Sequence, residues 1–277
     1  GEFLAKQGDV MVLASQRRFG EPCEPPDEIK DQVREWRMQI IWRMLLLGKF
    51  GLGSWSLHVD ADEFVVLPPG VSLDDFCREL DKRGDEAVWG AMLDMYPECI
   101  GVLREQQKDL AFDPGQGWHF DGQPHLRLRT GTMPRTVYGG SRARLMARYG
   151  LNHKVSRRKS VASRFIPWYV PAYNLVRKPV LFKWREGRFL LNNHNISFEG
   201  STNFLLPIKH YKFTGDLYRR VIQAIQLGSH YDGSSEYRNM RRLLEKMEQE
   251  DADFRYPKSM PADNFDNFRR SGNIVGF

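Results

Sequence analysis

Apolar positions recur along the chain in two rhythms, and each change of rhythm marks an element. Three- and four-residue steps through Ile29, Val33, Trp36, Ile40, Met44 and Leu47 predict a helix over residues 27–47. Pro22, Pro25 and Pro26 open it and Gly48 closes it. Ser72-Leu73-Asp74-Asp75 has the form of a capping box and predicts a second helix to about Arg83. Continuous apolar runs predict strands at 9–15, 54–59, 86–95, 180–184, 189–197 and 205–213. Helices are predicted again at 216–227 and 234–250. From Tyr96 to about Pro179 the chain is rich in Gly, Pro and Arg without a clean period, which predicts an insertion of hairpins and loops. Strands alternating with helices, then a looser strand-rich half, predict an α/β fold: a mixed central sheet flanked by helices. We expect one domain over residues 1–277, with halves 1–95 and 96–277.

Composition narrows the setting. The cysteines Cys23, Cys77 and Cys99 are odd in number and form no C-x-x-C pair. This argues against a disulfide framework or a structural zinc site and fits a reducing compartment, hence the cytoplasm. The longest early apolar stretch, residues 38–47, carries Arg43 and is too short to span a bilayer. No secretory signal is visible, and the chain starts at Gly1 rather than Met, so any upstream segment is out of view.

Charge is unevenly spread. The net charge is +6, yet residues 127–188 hold sixteen Lys or Arg against the single acid Glu186, a local +15. Such a segment suits an anionic partner, whether phosphate, nucleic acid or membrane, although a solvated basic face has the same composition. Within it Phe165, Trp168, Tyr169 and Tyr173 cluster with Ile166, Pro167, Val170 and Pro171 into one apolar patch. That arrangement fits a membrane interface better than nucleic acid, whose readers interleave aromatics with basic residues. Peripheral docking of residues 157–178 on the inner face of the plasma membrane is therefore expected.

The sharpest chemical feature is Asp60-x-Asp62-Glu63 after the apolar run 54–59, followed by Phe64-Val65-Val66. If the strand continues through the motif, both aspartates project from one face at its end. Two hard carboxylate ligands there would hold Mg²⁺ or Mn²⁺ and leave positions for substrate phosphates. Many D-x-D triplets are solvated turns, but flanking apolar residues on both sides make a solvated turn the weaker reading. Glu63 would either support that site or face away. Asp94, ending the run 86–95, is a candidate base for an acceptor hydroxyl or a plain strand-end cap.

The stretch Gly51-Leu52-Gly53-Ser54-Trp55-Ser56-Leu57-His58-Val59-Asp60-Ala61-Asp62-Glu63-Phe64 resembles the D-x-D region of bacterial family 2 glycosyltransferases, in the subgroup with W-x-L-x-x-D-x-D-E-F. The similarity continues through Leu93-Asp94-Met95-Tyr96-Pro97 and Gly139-Gly140-Ser141-Arg142. It resumes at Lys183-Trp184-Arg185, His194 and His210-Tyr211-Lys212-Phe213. The resemblance implies a GT-A fold and a divalent metal, Mn²⁺ or Mg²⁺, bound through Asp60 and Asp62. It also implies inverting transfer of a sugar, as in a hexosyltransferase, from a nucleotide-sugar donor to a glycan or lipid-linked acceptor. Residues 1–95 would then be the metal and donor half, and 96–277 the acceptor half with its basic insertion at 127–188.

By the same resemblance His194 and His210 are candidate further metal ligands, though a histidine in a strand is commonly structural. Arg142, at a Gly-Gly turn, and Lys212 are candidate contacts to the donor's phosphates. That turn could equally be a simple hairpin. Trp55, Trp89 and Trp184 are expected in the core. The family's first βαβ unit, which holds the nucleotide base, has no counterpart, and Gly1-Glu2-Phe3-Leu4 resembles the helix after it. The resemblance thus implies an N-terminal truncation and weak nucleotide-sugar binding by these residues alone. A nucleotidyl- or phosphotransferase would also use paired carboxylates, but no G-x-x-x-x-G-K-[ST] phosphate loop occurs. A non-catalytic nucleic-acid- or membrane-binding module built on the basic segment is the remaining alternative.

Overall fold

A computed structural model describes residues 10–11, 15–18, 20–33, 36–109, 112–115, 117–123, 126–127, 136–137, 139–151, 176–228 and 231–277. Its centre is a mixed sheet of β1 (Trp55–Leu57), β2 (Glu63–Val65), β3 (Ala87–Asp94), β4 (Arg177–Lys183) and β5 (Leu205–His210). The spatial order is β1-β4-β3-β5-β2. β3 and β5 are parallel, and the other three pairings are antiparallel. Every residue of β3 is buried, which is why that segment reads as a continuous apolar run rather than an alternation.

One consequence of this order governs the site. β1 and β2 are consecutive in the chain but lie at opposite edges of the sheet. The link between them, residues 58–62, therefore crosses the sheet's end over β4, β3 and β5. Asp60 and Asp62 ride on that crossing.

Helices cover the sheet and its end. They are α1 (Met38–Phe50), α2 (Leu73–Arg83), α3 (Ile100–Asp109), α4 (Gly140–Arg148), α5 (Leu217–Leu227), α6 (Tyr231–Gln249) and α7 (Phe265–Arg270). Ile40 of α1 and Phe76 and Leu80 of α2 pack with Trp89, Val180 and Leu206 of the sheet. α2 begins as its sequence predicts: the Ser72 hydroxyl accepts the Asp75 N–H at 3.0 Å, and Gly84 closes it at φ +72°. A second core joins α3 to α6 through Ile100, Leu103, Leu145, Val221 and Leu243. It includes Tyr96 and Phe213, which lie just beyond the ends of β3 and β5, so this helical layer sits over the end of the sheet that the crossing link spans.

The architecture is mixed α/β, a five-stranded sheet flanked by helices, as the sequence predicts. Several elements differ. The predicted helix over 27–47 is a 3₁₀ turn (Asp27–Ile29), a short ribbon (Pro22–Cys23 with Trp36–Arg37), and α1 from Met38 onward. The apolar period runs through all three because Ile29, Val33, Trp36 and Ile40 share one core. Trp36 is held there by its indole N–H, which donates to the Leu190 carbonyl at 3.0 Å. α1 also passes Gly48 and ends at Phe50. The stretch predicted as loops contains α3 and α4, and 189–197 is a hairpin of Leu190–Asn192 with Asn195–Ile196 rather than one strand. Most of the predicted strand at 9–15 and most of the segment 157–178 lie outside the described residues. No helix among the described residues is long and apolar enough to cross a membrane.

Candidate functional site

The end of the sheet gathers ionisable side chains because β3 and β5 finish, and β2 begins, in register there. His210 of β5 is the lateral partner of Asp94 on one side and of Glu63 on the other. The crossing link lies against them, and the Tyr211 N–H donates to the Asp62 carbonyl at 2.8 Å, which fixes Asp62 beside His210.

The two aspartates of the motif do not point together. They belong to the turn after β1 rather than to a strand, and the crossing carries them to different partners. Asp60 lies over β4, where Lys178 Nζ is 3.0 Å from Oδ2 and Arg43 is 2.5 Å from Oδ1. Lys178 is only 1% exposed and also donates to Glu63 Oε2 at 2.6 Å. The Asp60 backbone N–H donates to the same glutamate oxygen at 2.8 Å. Burial would raise the Asp60 carboxyl, but Lys178 and Arg43 outweigh it and hold it below the usual carboxylate range. Both Asp60 oxygens thus bind side-chain cations, and Glu63 faces inward as part of this lock.

Asp62 lies further across, toward β5 and α5. Its Oδ2 is 3.7 Å from His210 Nε2 and accepts from Arg220 Nη1 at 3.3 Å. His210 in turn donates through Nδ1 to Asp94 Oδ1 at 2.6 Å. Asp94 has a fully enclosed side chain, and Arg142 Nε donates to its other oxygen at 2.7 Å. Arg142 reaches on to Glu236 of α6 through Nη1 at 2.8 Å. Burial pushes the Asp94 carboxyl up, but the Arg142 charge and the His210 bond outweigh it and keep Asp94 well below the ordinary range. The ionised carboxylate can only accept, so Nδ1–H of His210 donates to it and Nε2 is turned toward Asp62.

The expected roles of several residues change on this geometry. Asp94 has both oxygens occupied and no open face, so it positions His210 instead of reaching an acceptor hydroxyl. Arg142 spends its guanidinium on Asp94 and Glu236 and is not available to a phosphate. Its Gly-Gly turn is a helix start: Gly139 and Gly140 have φ of +123° and +83°, which brings α4 in beneath Asp94. His194, in the 190–196 hairpin, bonds through Nδ1 to the Arg177 carbonyl at 2.8 Å and is not brought onto Asp62. Lys212 is half-buried near Arg142 and Arg220, and burial first, then those two cations, lower its pKa. It stays close enough to the cluster to add positive field. Trp89 and Trp184 are core residues as expected, and Trp55 is half-buried.

Arg43, Arg220 and Glu236 did not stand out as site residues, and Lys178, expected at the end of the membrane-docking segment 157–178, is buried in this cluster instead. Two carried a signal: Arg43 is the one charge inside an apolar helical run, and Lys178 sits in an apolar strand just before Pro179. Arg220 and Glu236 lie on amphipathic helices among other charges and carried none.

His58, at the start of the crossing link, is a liability of the same cluster. Neither ring nitrogen has a hydrogen-bond partner among the described residues. Burial, and then Arg43 and Lys178, push its pKa down to about 3. The unfolded chain takes up that proton near the ordinary value of about 6.5, so stability is complete above it and drains as pH falls toward 3. The loss is on the order of 3 kcal/mol, discounted for partial exposure. A His58→Phe variant, compared with the parent by urea titration across that interval, is expected to lose less stability on acidification.

Comparison with protein-family models, with curated proteins and with solved structures yields no match.

Proposed function

We propose that this protein is a metal-dependent inverting glycosyltransferase of GT-A type, transferring a sugar from a nucleotide-diphosphate donor to a glycan or lipid-linked acceptor. The observation that carries the reading is the line Asp94–His210–Asp62 at the end of parallel strands, where α/β sheets place ligands. A carboxylate on Nδ1 of a histidine whose Nε2 faces a second carboxylate is the arrangement of an oriented metal-binding imidazole. Asp62 Oδ2 and His210 Nε2, 3.7 Å apart, can both reach one ion with a small closing movement, given ligand distances of about 2.1 Å.

Among the described residues no group of three or more such donors surrounds one point. Two protein ligands suit Mg²⁺ or Mn²⁺, which complete their shells with water and substrate phosphate. Such an ion would neutralise the charge on the diphosphate as the glycosidic bond breaks. The chain's own residues do the rest. Asp94, held by Arg142 and Glu236, fixes the imidazole. Lys178 and Arg43 pin Asp60 and so the backbone that presents Asp62. Arg220 steadies the Asp62 carboxylate, and Lys212 supplies positive field toward phosphate.

Manganese electron paramagnetic resonance tests this assignment without a donor sugar. The parent chain is expected to take up Mn²⁺, and both Asp62→Asn and His210→Ala to lose affinity by at least about tenfold. Equal affinity in all three would show that the ion, if bound, lies elsewhere.

A further inference from the structure

Beside Asp62 opens a cavity of about 570 Å³, within the range of roughly 300–1,000 Å³ typical of small-molecule sites. Its two walls differ in chemistry. One is aromatic: Phe112 is 45% exposed, and Tyr211 meets it edge to face, with centroids 5.0 Å apart. The other is charged and comes from the turn into α5, where Asp216, Arg219 and Arg220 line the space. The turn is pressed against α3, because a Cβ on Gly215 would lie 2.4 Å from the Gln106 carbonyl oxygen. The charged wall is therefore fixed in place by the fold.

The cations on that wall have unequal duties. Arg220 binds Asp62 at 3.3 Å and Asp216 at 3.1 Å, and also bonds the Lys212 carbonyl and the Thr214 hydroxyl. Its guanidinium is thus held between the two carboxylates, with Nε paired to Asp216 by charge without a hydrogen bond. Arg219 lies 4.0 Å from Asp216, at the outer limit of an ion pair, and its side chain is 65% exposed. Its planar fork is free to take a ligand carboxylate in two parallel hydrogen bonds.

A flat ring with one apolar face, hydroxyls at its edge and a carboxylate matches these walls. We propose that this cavity is the acceptor subsite and that it takes a uronic-acid-type saccharide unit. The sugar's C–H face lies on Phe112, its hydroxyls donate to Asp216, and its carboxylate binds Arg219. Asp62 at the rim sets the acceptor next to the proposed reaction centre. This inference rests on the proposed glycosyltransferase reading, yet saccharide binding needs neither donor nor metal.

The test is calorimetric titration with a glucuronate-containing disaccharide and its neutral glucose counterpart. Phe112 and Arg219 are exposed, so Phe112→Ala and Arg219→Ala should fold normally. The parent is expected to prefer the uronate disaccharide by about tenfold, and Arg219→Ala to erase that preference. Phe112→Ala should weaken both ligands by a similar factor. Equal binding of the two sugars, or no binding of either, overturns the proposal. So does a result in which Arg219→Ala weakens inorganic pyrophosphate with Mn²⁺ but not uronate, because Arg219 would then serve the donor. If uronate binding holds while no nucleotide-sugar is turned over, the functional reading fails and the cavity assignment stands.

Discussion

Replacing Arg142 with methionine is expected to lower stability by roughly 3–5 kcal/mol at neutral pH, the usual cost of stranding one member of a buried pair. Arg142 is the guanidinium bonded to Asp94, whose side chain is fully enclosed. Without it, the His210 bond and the more distant Lys212 charge are left to oppose the burial that drives the carboxyl upward. In the parent, Asp94 has a folded pKa below its unfolded one. Its stabilising contribution is thus present above the unfolded pKa and lost as pH falls through the folded pKa. In the variant the carboxyl rises instead, and ionisation at neutral pH opposes folding. The gap between parent and variant should therefore be widest at neutral pH and narrow below the ordinary carboxylate range, where Asp94 of the variant is protonated folded or unfolded.

Arg142→Lys should recover little, since a single ammonium cannot reach Asp94 and Glu236 with separate, fixed donors. Urea unfolding at the two pH values decides it. A loss below about 1 kcal/mol at neutral pH would mean that Asp94 is solvated or otherwise neutralised. The same variant loosens His210, so Mn²⁺ affinity should fall even at temperatures where the fold persists.

The sequence made the sheet legible where strands are buried on both faces, because β3, β4 and β5 leave continuous apolar runs. The start of α2 was legible too, since a serine three residues before an aspartate specifies a cap locally. The crossing link was not. Its path follows from β1 and β2 lying at opposite edges, and strand order is a long-range property that no local pattern encodes. For that reason Asp60 and Asp62 read as a matched pair in sequence, yet the fold hands one to Lys178 and Arg43 and the other to His210 and Arg220. The helix start at Met38 was obscured by tertiary packing, with Trp36 in a ribbon continuing the same apolar face. Asp94 and His210 stood out as strand-end residues, but their side-by-side register depends on the parallel pairing of β3 with β5.

Asp62→Asn is expected to reduce sugar transfer by at least about a hundredfold while leaving the fold intact. Supporting residues around a metal commonly contribute 10–100-fold, and a direct ligand contributes no less. Asp62 is a third exposed and lies in a turn, and its Arg220 partner keeps the Asp216 ion pair and the Lys212 carbonyl and Thr214 hydroxyl as acceptors when the charge is removed. The loss should therefore appear in turnover and not in unfolding. Lys178→Met would be a poor substitute for this test, since it strands buried Glu63 and disturbs folding and function together.

Glycosyl transfer is tested most directly by measuring sugar release by the protein from a panel of nucleotide-sugars, with Mn²⁺, with a chelator, and with Asp62→Asn. Mn²⁺-dependent release from at least one nucleotide-sugar is expected, abolished by the chelator and by the substitution. Release that persists at the parental rate in chelator or in folded Asp62→Asn, or the absence of release across the whole panel, would contradict it.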